Sequence, residues 1–202
     1  AQFTVNGVKK GERRKNPAPP FTTSNLQQEA SRKLNFTASK TMQIAQQLYE
    51  GVDVEGVGTL GLVTYIRTDS TRISDDALLP LREMIAERYG SEYLPETPNV
   101  YKSRQNAQDA HEAIRPTDVS LRPENLKSSL SNDQYKLYKL IYDRFVASQM
   151  TPAVYDTLSA ELISGDVDFH HSSQKLRFAG FTAVYEEGID DAGEAADTHM
   201  PK

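Results

Sequence analysis

Cysteine and tryptophan are both absent from this chain of 202 residues. Without cysteine, neither a disulfide nor a thiolate-ligated metal site can form, which fits a cytosolic protein. Long apolar runs are also missing: no stretch approaches the ~20 residues that a membrane-spanning helix needs, and no signal-peptide pattern opens the chain. These absences exclude disulfide-rich and membrane-embedded classes, and they predict a cytoplasmic protein with no membrane partner.

The negative charge is concentrated at one end of the chain. The net charge is −5, and residues 186–202, with six acidic side chains and one lysine, carry all of it. Residues 1–185 are therefore neutral overall, with a basic cluster at 9–15. A neutral body with a local basic groove can bind a phosphate backbone, although solvated surface charge explains 9–15 equally well. The acidic end after Gly188 is predicted to be disordered.

The hydrophobic pattern predicts an α+β chain with a helical middle and strand-rich ends. Alternating residues at 3–8 indicate a strand, and 16-NPAPP-20 breaks any regular element. β-Branched and aromatic residues return at 158–163, 175–181 and 182–185, with turns at Gly165 and Gly180. The terminal strands are expected to pair in one small antiparallel sheet.

Capping residues mark the helices of the middle region. A capping box of Ser24 and Gln27 begins a helix through about Leu34, and a second helix covers about 38–50 and ends at Gly51. Together they resemble a helix-turn-helix of the winged-helix kind. Three later helices are expected. The first begins after Ser74, with a kink or late start at Pro80, and the second covers about 107–114. The third begins after a capping box of Ser131 and Gln134. Residues 91–106 are predicted to be a loop.

The stretch 60-LGLVTYIRTDSTRIS-74 carries the candidate chemistry. Its apolar start predicts a strand over 60–67, in which Tyr65 and Arg67 share one face with Val63 beneath them. A phenol and a guanidinium projecting together fit a nucleophile and the cation that steadies a phosphate. On spacing alone, a half-buried tyrosine beside an exposed arginine is the more common explanation.

Three stretches in order resemble the type IA DNA topoisomerases. They are 59-TLGLVTYIRTDSTRIS-74, residues 17–51, and 107-AQDAHEAIRPTD-118. The form HEAIRPT is more similar to the bacterial type I enzyme, or to the topoisomerase half of reverse gyrase, than to topoisomerase III. Between those two the sequence does not decide.

The resemblance implies roles for three residues, and two more are candidates. Tyr65 aligns with the nucleophilic tyrosine, Arg67 with the arginine beside the scissile phosphate, and His111 with the histidine that lies against the DNA phosphate. Asp69, Ser70 and Thr71 favour a turn or capping role, and the resemblance also implies that they line the tyrosine's surroundings, where Thr71 is expected to contact DNA. Arg115 lies four residues past His111, so a helical turn would place both on one side, facing the DNA backbone. The reaction implied is relaxation of negatively supercoiled DNA without ATP, through a 5′-phosphotyrosine link and passage of another strand. The expected partner is single-stranded or negatively supercoiled DNA in the nucleoid.

The resemblance also implies that this chain is a central piece of a longer enzyme. The Mg²⁺ of the family is held by an acidic domain without a counterpart here, so no metal ligand is assigned and the chain alone is expected to be inactive. The other partners expected are the missing domains of its own chain. The domain ranges implied are 1–15 (strands of the arch domain), 16–24 (linker), 25–150 (active-site tyrosine domain), 151–187 (returning arch strands) and 188–202 (tail).

Two other functions remain open at this point. One is a non-catalytic, winged-helix-like DNA-binding module in which Tyr65 is only structural. The other is a structural piece of the arch with no DNA affinity of its own.

Overall fold

The computed structural model describes residues 3–101, 111–165 and 167–187, and it has an α+β architecture. Within these ranges, helices form one body, and strands from the two ends of the chain form one antiparallel sheet. The helices are α1 (Thr23–Leu34), α2 (Ala38–Glu50), α3 (Asp75–Tyr89) and α4 (Asn132–Ser148). The strands are β1 (Thr4–Lys15), β2 (Val52–Val54), β3 (Gly58–Leu60), β4 (Ala153–Ser164) and β5 (Val167–Phe178). The predicted fold class, with terminal strands in a small antiparallel sheet, is confirmed.

The terminal sheet has the strand order β1–β4–β5, and both neighbouring pairs are antiparallel. β4 and β5 form a hairpin, and Gly165 in its turn has φ 63°, a left-handed conformation that glycine adopts without a steric penalty. Most side chains of β1 and β5 are exposed. The sheet is therefore held mainly by its ladder of backbone hydrogen bonds, and it joins the helical body near Ala153, which is buried.

The chain after β5 turns into a 3₁₀ helix where a strand was predicted. Residues Gly180–Ala183 form this helix, so the strand expected at 182–185 was wrong. Gly180 has φ 51°, and a Cβ at this position would lie 2.3 Å from the carbonyl oxygen of Pro152. The turn carries Phe181 and Tyr185 into the core of the helical body, where both are buried. Burial in that core, and not pairing in a sheet, explains the aromatic pattern of this segment.

α4 forms the centre of the helical body. Its predicted capping box is confirmed: the Ser131 hydroxyl accepts from the backbone N–H of Gln134, and the Gln134 side chain accepts from the Ser131 N–H. One face of α4 carries a stripe of apolar residues that is largely buried, with Tyr138, Ile141 and Phe145 almost fully enclosed. α1 and α2 pack beside it and are joined by a short turn in which Asn35 has φ 55°.

The beginning of α1 differs from the prediction, whereas α3 begins where it was predicted. α1 begins two residues early, because the hydroxyl of Thr22, not that of Ser24, caps the helix by accepting from the backbone N–H of Asn25. α3 begins at Asp75 directly after Ser74, with Pro80 inside it, so the late start considered for this helix does not occur. Asp75 and Asp76 in the first turn favour this start, since acidic side chains interact well with the positive end of the helix dipole.

The predicted strand at 60–67 is mostly irregular. Only β3, which ends at Leu60, pairs regularly, and beyond it a single bridge joins Val63 to Pro116. Two backbone hydrogen bonds flank this bridge, from the Thr64 N–H to the Arg115 carbonyl oxygen and from the Thr117 N–H to the Leu62 carbonyl oxygen, but the pairing extends no further. The predicted helix at 107–114 is also wrong where the structure describes it: residues 111–113 are irregular and Ile114 pairs with Phe21 in another bridge. The remainder of that helix, the end of the predicted 91–106 loop and the acidic tail lie outside the described residues.

Three connections join the sheet to the helical body, and two of them, the incoming one after β1 and the outgoing one after β5, meet at Arg144 of α4, which is 3% exposed. Its Nε donates to the carbonyl oxygen of Pro19 at 2.6 Å, and its Nη1 lies 3.2 Å from Oε1 of Glu187. Its guanidinium also lies 5.0 Å from the ring centroid of Phe21 and 5.1 Å from that of Tyr185. One buried arginine therefore contacts both the incoming and the outgoing connection.

Candidate active site

Tyr65 lies in an extended segment whose side chains alternate between solvent and core. Tyr65, Arg67 and Asp69 are exposed, whereas Ile66 and Thr68 between them are buried. This alternation places the phenol and the guanidinium on the same side, as predicted. Val63 is buried, so it does not share that exposed face.

Exposure separates Tyr65 from most other tyrosines of the chain. Of the ten, only Tyr49 and Tyr65 are classed as exposed, at 39% and 45%. The phenols of Tyr101, Tyr138 and Tyr142 donate to backbone carbonyl oxygens at 2.6–2.7 Å. Burial raises the pKa of Tyr142 to about 12, and it also raises the pKa values of Tyr101 and Tyr138. These three phenols are structural groups, because a nucleophile must be accessible and must lose its proton.

Thr23 at the start of α1 fixes the backbone on both sides of Arg67. Its hydroxyl lies 2.8 Å from the carbonyl oxygen of Ile66 and 3.0 Å from that of Thr68. The same hydroxyl accepts from the backbone N–H of Thr68 at 2.9 Å, and the N–H of Thr23 donates to the Thr68 carbonyl. Arg67 therefore projects from a backbone that is held by the first turn of a helix, while its own side chain is exposed.

Two rings contact the ring of Tyr65. Tyr49 lies with its ring centroid 5.7 Å away at an interplanar angle of 67°, and His111 lies 5.9 Å away at 54°. Both distances fall in the range of favourable aromatic pairs. Within the described part of the chain, the Tyr65 hydroxyl has no hydrogen-bond partner and stays open to a ligand.

The segment that carries His111 is bound to the Tyr65 segment by backbone groups. The Thr64 N–H donates to the carbonyl oxygen of Arg115 at 2.9 Å, and the Thr64 hydroxyl donates to that of Ala113 at 2.8 Å. The N–H of Ala113 donates in turn to the carbonyl oxygen of Arg72. These bonds bring half-buried His111 beside Tyr65 although the two residues are far apart in sequence.

Arg115 is placed differently from Arg67. Its side chain is only 12% exposed and forms an ion pair with Glu112 at 2.7 Å. It also donates to the Ser74 hydroxyl at 3.3 Å and to the carbonyl oxygen of Pro116 at 2.9 Å. In this arrangement Arg115 links the His111 segment to the beginning of α3, and its predicted contact with DNA stays a prediction.

Thr71 has a buried hydroxyl oxygen for which the described residues provide no hydrogen-bond partner. It follows Ser70, whose hydroxyl accepts from the backbone N–H of Arg72, so the turn role expected here belongs to Ser70. An unpaired buried hydroxyl is costly unless a ligand or water meets it. The predicted DNA contact of Thr71 is compatible with this arrangement and stays a prediction.

No metal-binding cluster is found in the described ranges. Residues 3–101, 111–165 and 167–187 contain no group of three or more acidic, histidine or cysteine side chains placed to hold a metal ion. No chemical step is therefore assigned to Mg²⁺ in this chain. In the same ranges, no helix has the length and apolar character required to cross a membrane.

Sequence reasoning missed Thr23 and Tyr49 as parts of this site. The helical period places Tyr49 on one face with Met42, Ala45 and Leu48, which predicts packing, and no motif points to Thr23. Both reach the Tyr65 segment through contacts between residues distant in sequence, for which no local pattern gives a signal. The nearest signal is the position of Tyr49 in the last turn of α2, shortly before the β2–β3 hairpin that brings the chain back past the end of this helix.

Comparison with known proteins identifies the family of this chain. The DNA topoisomerase family matches the sequence over residues 1–202. Among solved structures, full-length topoisomerase I from Thermotoga maritima is 41% identical, with a TM-score of 0.80, over 95% of this chain. This chain spans 31% of that protein. The chain therefore belongs to the bacterial type IA DNA topoisomerases.

Proposed function

We propose that this chain carries the nucleophile with which a type IA topoisomerase relaxes negatively supercoiled DNA without ATP. The observation that carries the proposal is the exposed Tyr65 phenol, which lies beside His111 and on the same side as Arg67. On this proposal the substrate is a single-stranded region of chromosomal DNA, and the protein works in the cytoplasm. The remaining domains of the longer protein are its other partners.

The proposed reaction exchanges one phosphodiester bond for another. The Tyr65 oxygen attacks the phosphorus, gives up its proton and becomes joined to the 5′ phosphate. The bond from phosphorus to the 3′ oxygen breaks, and that oxygen takes up a proton to become a free hydroxyl. The link conserves the energy of the broken bond, and a phenol leaves more readily than an alcohol. After another strand has passed, the 3′ hydroxyl can therefore attack the phosphotyrosine and reverse the step.

Arg67 and His111 would act on the phosphoryl group. The backbone around Arg67 is held in place, and its exposed guanidinium has no hydrogen-bond partner among the described residues, which suits two parallel hydrogen bonds to phosphate oxygens. Donors that are already in place where charge develops stabilise a transition state without reorganisation. His111, next to the Tyr65 ring, would add a donor from the neighbouring segment.

The geometry favours this proposal over a non-catalytic DNA-binding module. A tyrosine that only supports the fold is expected to be buried or to bond through its hydroxyl, as Tyr138 and Tyr142 do. Tyr65 does neither within the described residues. The arch-piece reading, with no DNA affinity, is opposed by Arg67, an exposed cation on a backbone that is held in place.

The direct test is to find the residue that becomes attached to DNA. The full-length protein is incubated with a single-stranded oligonucleotide labelled at its 3′ end, trapped with denaturant and digested for mass spectrometry. The label is expected on the peptide that contains Tyr65, because this chemistry leaves the 5′ phosphate on the protein. Attachment to another residue, or labelled adduct only from a 5′-labelled oligonucleotide, would contradict the proposal.

The chain of 202 residues alone is expected to leave supercoiled DNA unrelaxed, with or without added Mg²⁺. Its described residues provide no metal cluster, and it spans less than a third of the matched topoisomerase. Agarose-gel assays of supercoiled plasmid at several protein concentrations measure this. Magnesium-dependent relaxation by the purified chain would contradict the proposal that a domain outside this chain provides the metal-binding residues.

Arg67 and Arg115 are expected to differ in their contribution to DNA binding. Removing one phosphate contact lowers the slope of log affinity against log salt by about 0.7 for a single strand. Arg67→Ala should lower the slope by this amount. Arg115→Ala should lower the slope less, because Glu112 already pairs with Arg115. Titrations of a fluorescent oligonucleotide at several salt concentrations measure the slopes.

The matched control for that experiment is the pair of exposed lysines on β1. Lys9→Ala and Lys10→Ala remove cations from the terminal sheet and should leave the slope unchanged. If Arg67→Ala also leaves the salt slope unchanged, Arg67 does not contact a phosphate and the DNA contact lies elsewhere.

A further inference from the structure

The end of α2 lies directly against the segment that leads to Tyr65. The backbone N–H of Leu62 donates to the carbonyl oxygen of Leu48 at 2.7 Å. At Gly61, a Cβ would lie 2.8 Å from the carbonyl oxygen of Tyr49, closer than real Cβ contacts come. Glycine is therefore needed for the two backbones to approach, and the last turn of α2 sets the position of the chain four residues before Tyr65.

Tyr49 extends this contact to the side chain of Tyr65. Its ring meets that of Tyr65 in an edge-to-face arrangement, with centroids 5.7 Å apart. Core packing does not explain Tyr49, because its side chain is 39% exposed while the preceding Leu48 is fully buried. Among the described residues, the ring of Tyr49 contacts the ring of the candidate nucleophile. This contact, and not burial, therefore explains why an aromatic side chain occupies position 49.

We propose that Tyr49 is a positioning residue for Tyr65. This inference rests on the proposed function, in which the Tyr65 oxygen attacks phosphorus. The Tyr65 side chain is half exposed, and its hydroxyl has no partner among the described residues, so its neighbouring rings restrict where the phenol points. Tyr49 and His111 provide those contacts. With Tyr49 removed, the phenol samples more orientations and spends less time in line with the phosphate.

Such a role affects the rate of the chemical step and leaves DNA affinity unchanged. Misplacing a reacting group by about 1 Å can reduce a rate by as much as ~100-fold, even when the replaced residue does not touch the substrate. For loss of one of two ring contacts, we expect a reduction of roughly 10-fold. The ring of Tyr49, and not its hydroxyl, is the part that acts.

The test uses the full-length protein with Tyr49→Phe, Tyr49→Leu and Tyr49→Met. Single-turnover formation of covalent adduct is measured at saturating oligonucleotide, and DNA affinity is measured separately in variants that also carry Tyr65→Phe. Tyr49→Phe should retain the wild-type rate within about twofold, whereas the leucine and methionine variants should both be slower by roughly 10-fold with unchanged affinity. Thermal unfolding of each variant identifies any that has lost its fold. If either the leucine or the methionine variant does not fold, the other still provides the comparison with Tyr49→Phe.

Three outcomes would overturn the inference. They are unchanged rates in the aliphatic variants, an equal loss in Tyr49→Phe, and weaker DNA binding with a normal rate at saturation. The last would make Tyr49 a surface on which a nucleobase stacks. Failure of the proposed function is distinguished separately, because it would appear as adduct formation by Tyr65→Phe with Tyr49 intact.

Discussion

Tyr65→Phe in the full-length protein is expected to reduce covalent adducts and plasmid relaxation to background. The replacement removes the attacking oxygen and keeps the ring with its contacts to Tyr49 and His111. Stability should change by less than about 0.5 kcal/mol, because the residue is exposed and its hydroxyl has no partner among the described residues. Denaturing gels of labelled oligonucleotide measure the adduct, and thermal unfolding measures stability.

The matched control is Tyr49→Phe, which removes the same oxygen from the other exposed tyrosine. Adducts should form normally in this variant, since the ring of Tyr49 is retained. Adduct formation by Tyr65→Phe at a normal yield would mean that another residue attacks the phosphate. Loss of adducts in Tyr49→Phe alone would identify Tyr49 as that residue.

The secondary structure was predictable where local signals agree with packing. α4 follows from a capping box and a stripe of apolar residues, and α2 follows from its periodicity and the glycine after it. The beginning of α1 was missed because Thr22, Thr23 and Ser24 are all competent caps, and tertiary contacts decide among them. The hydroxyl of Thr23 forms its hydrogen bonds with the backbone of the Tyr65 segment, so the hydroxyl of Thr22 caps α1.

The candidate site was predictable in part. Local alternation was sufficient to place Tyr65 and Arg67 on one side, although the segment is not a regular strand. The resemblance, and not the pattern, pointed to His111, whose segment was expected to be helical. Backbone hydrogen bonds to Thr64 and Arg72 explain why it is extended: Ala113 and Arg115 use their peptide groups across segments, and a helix would need the same groups internally.

Charge alone did not distinguish Arg67 from Arg115. Both are arginines near the motifs, but only Arg67 is exposed, because Glu112 and Ser74 lie within reach of Arg115. For Arg115, the partner three residues earlier was visible in the sequence as Glu112, but only the fold shows that the pair is largely shielded from solvent.

Arg144→Ala is expected to have the largest effect on stability, lowering the free energy of unfolding by roughly 3 kcal/mol. The Pro19 carbonyl loses a 2.6 Å charged donor, and the side chain that fills the space between Phe21 and Tyr185 is removed. Because two of the three connections to the terminal sheet, those after β1 and after β5, contact this arginine, the loss should loosen the sheet from the helical body. Arg144→Lys should not restore stability, since an ammonium cannot reproduce the planar donor geometry and ring contacts of a guanidinium.

The control is Arg88→Ala, which breaks a 2.7 Å ion pair with Glu124 whose side chains are 35% and 53% exposed. An exposed pair of this kind contributes about 0–1 kcal/mol, so the two alanine variants should be clearly separated in urea unfolding of the 202-residue chain. Limited proteolysis gives a second measurement: cleavage near 16–21 and 180–187 should increase in Arg144→Ala and stay unchanged in Arg88→Ala. Equal losses in the free energy of unfolding of the two variants would show that the buried contacts of Arg144 contribute no more to stability than an exposed ion pair does. Increased cleavage elsewhere, with those two connections still protected, would show that Arg144 supports the helical body and does not join it to the sheet.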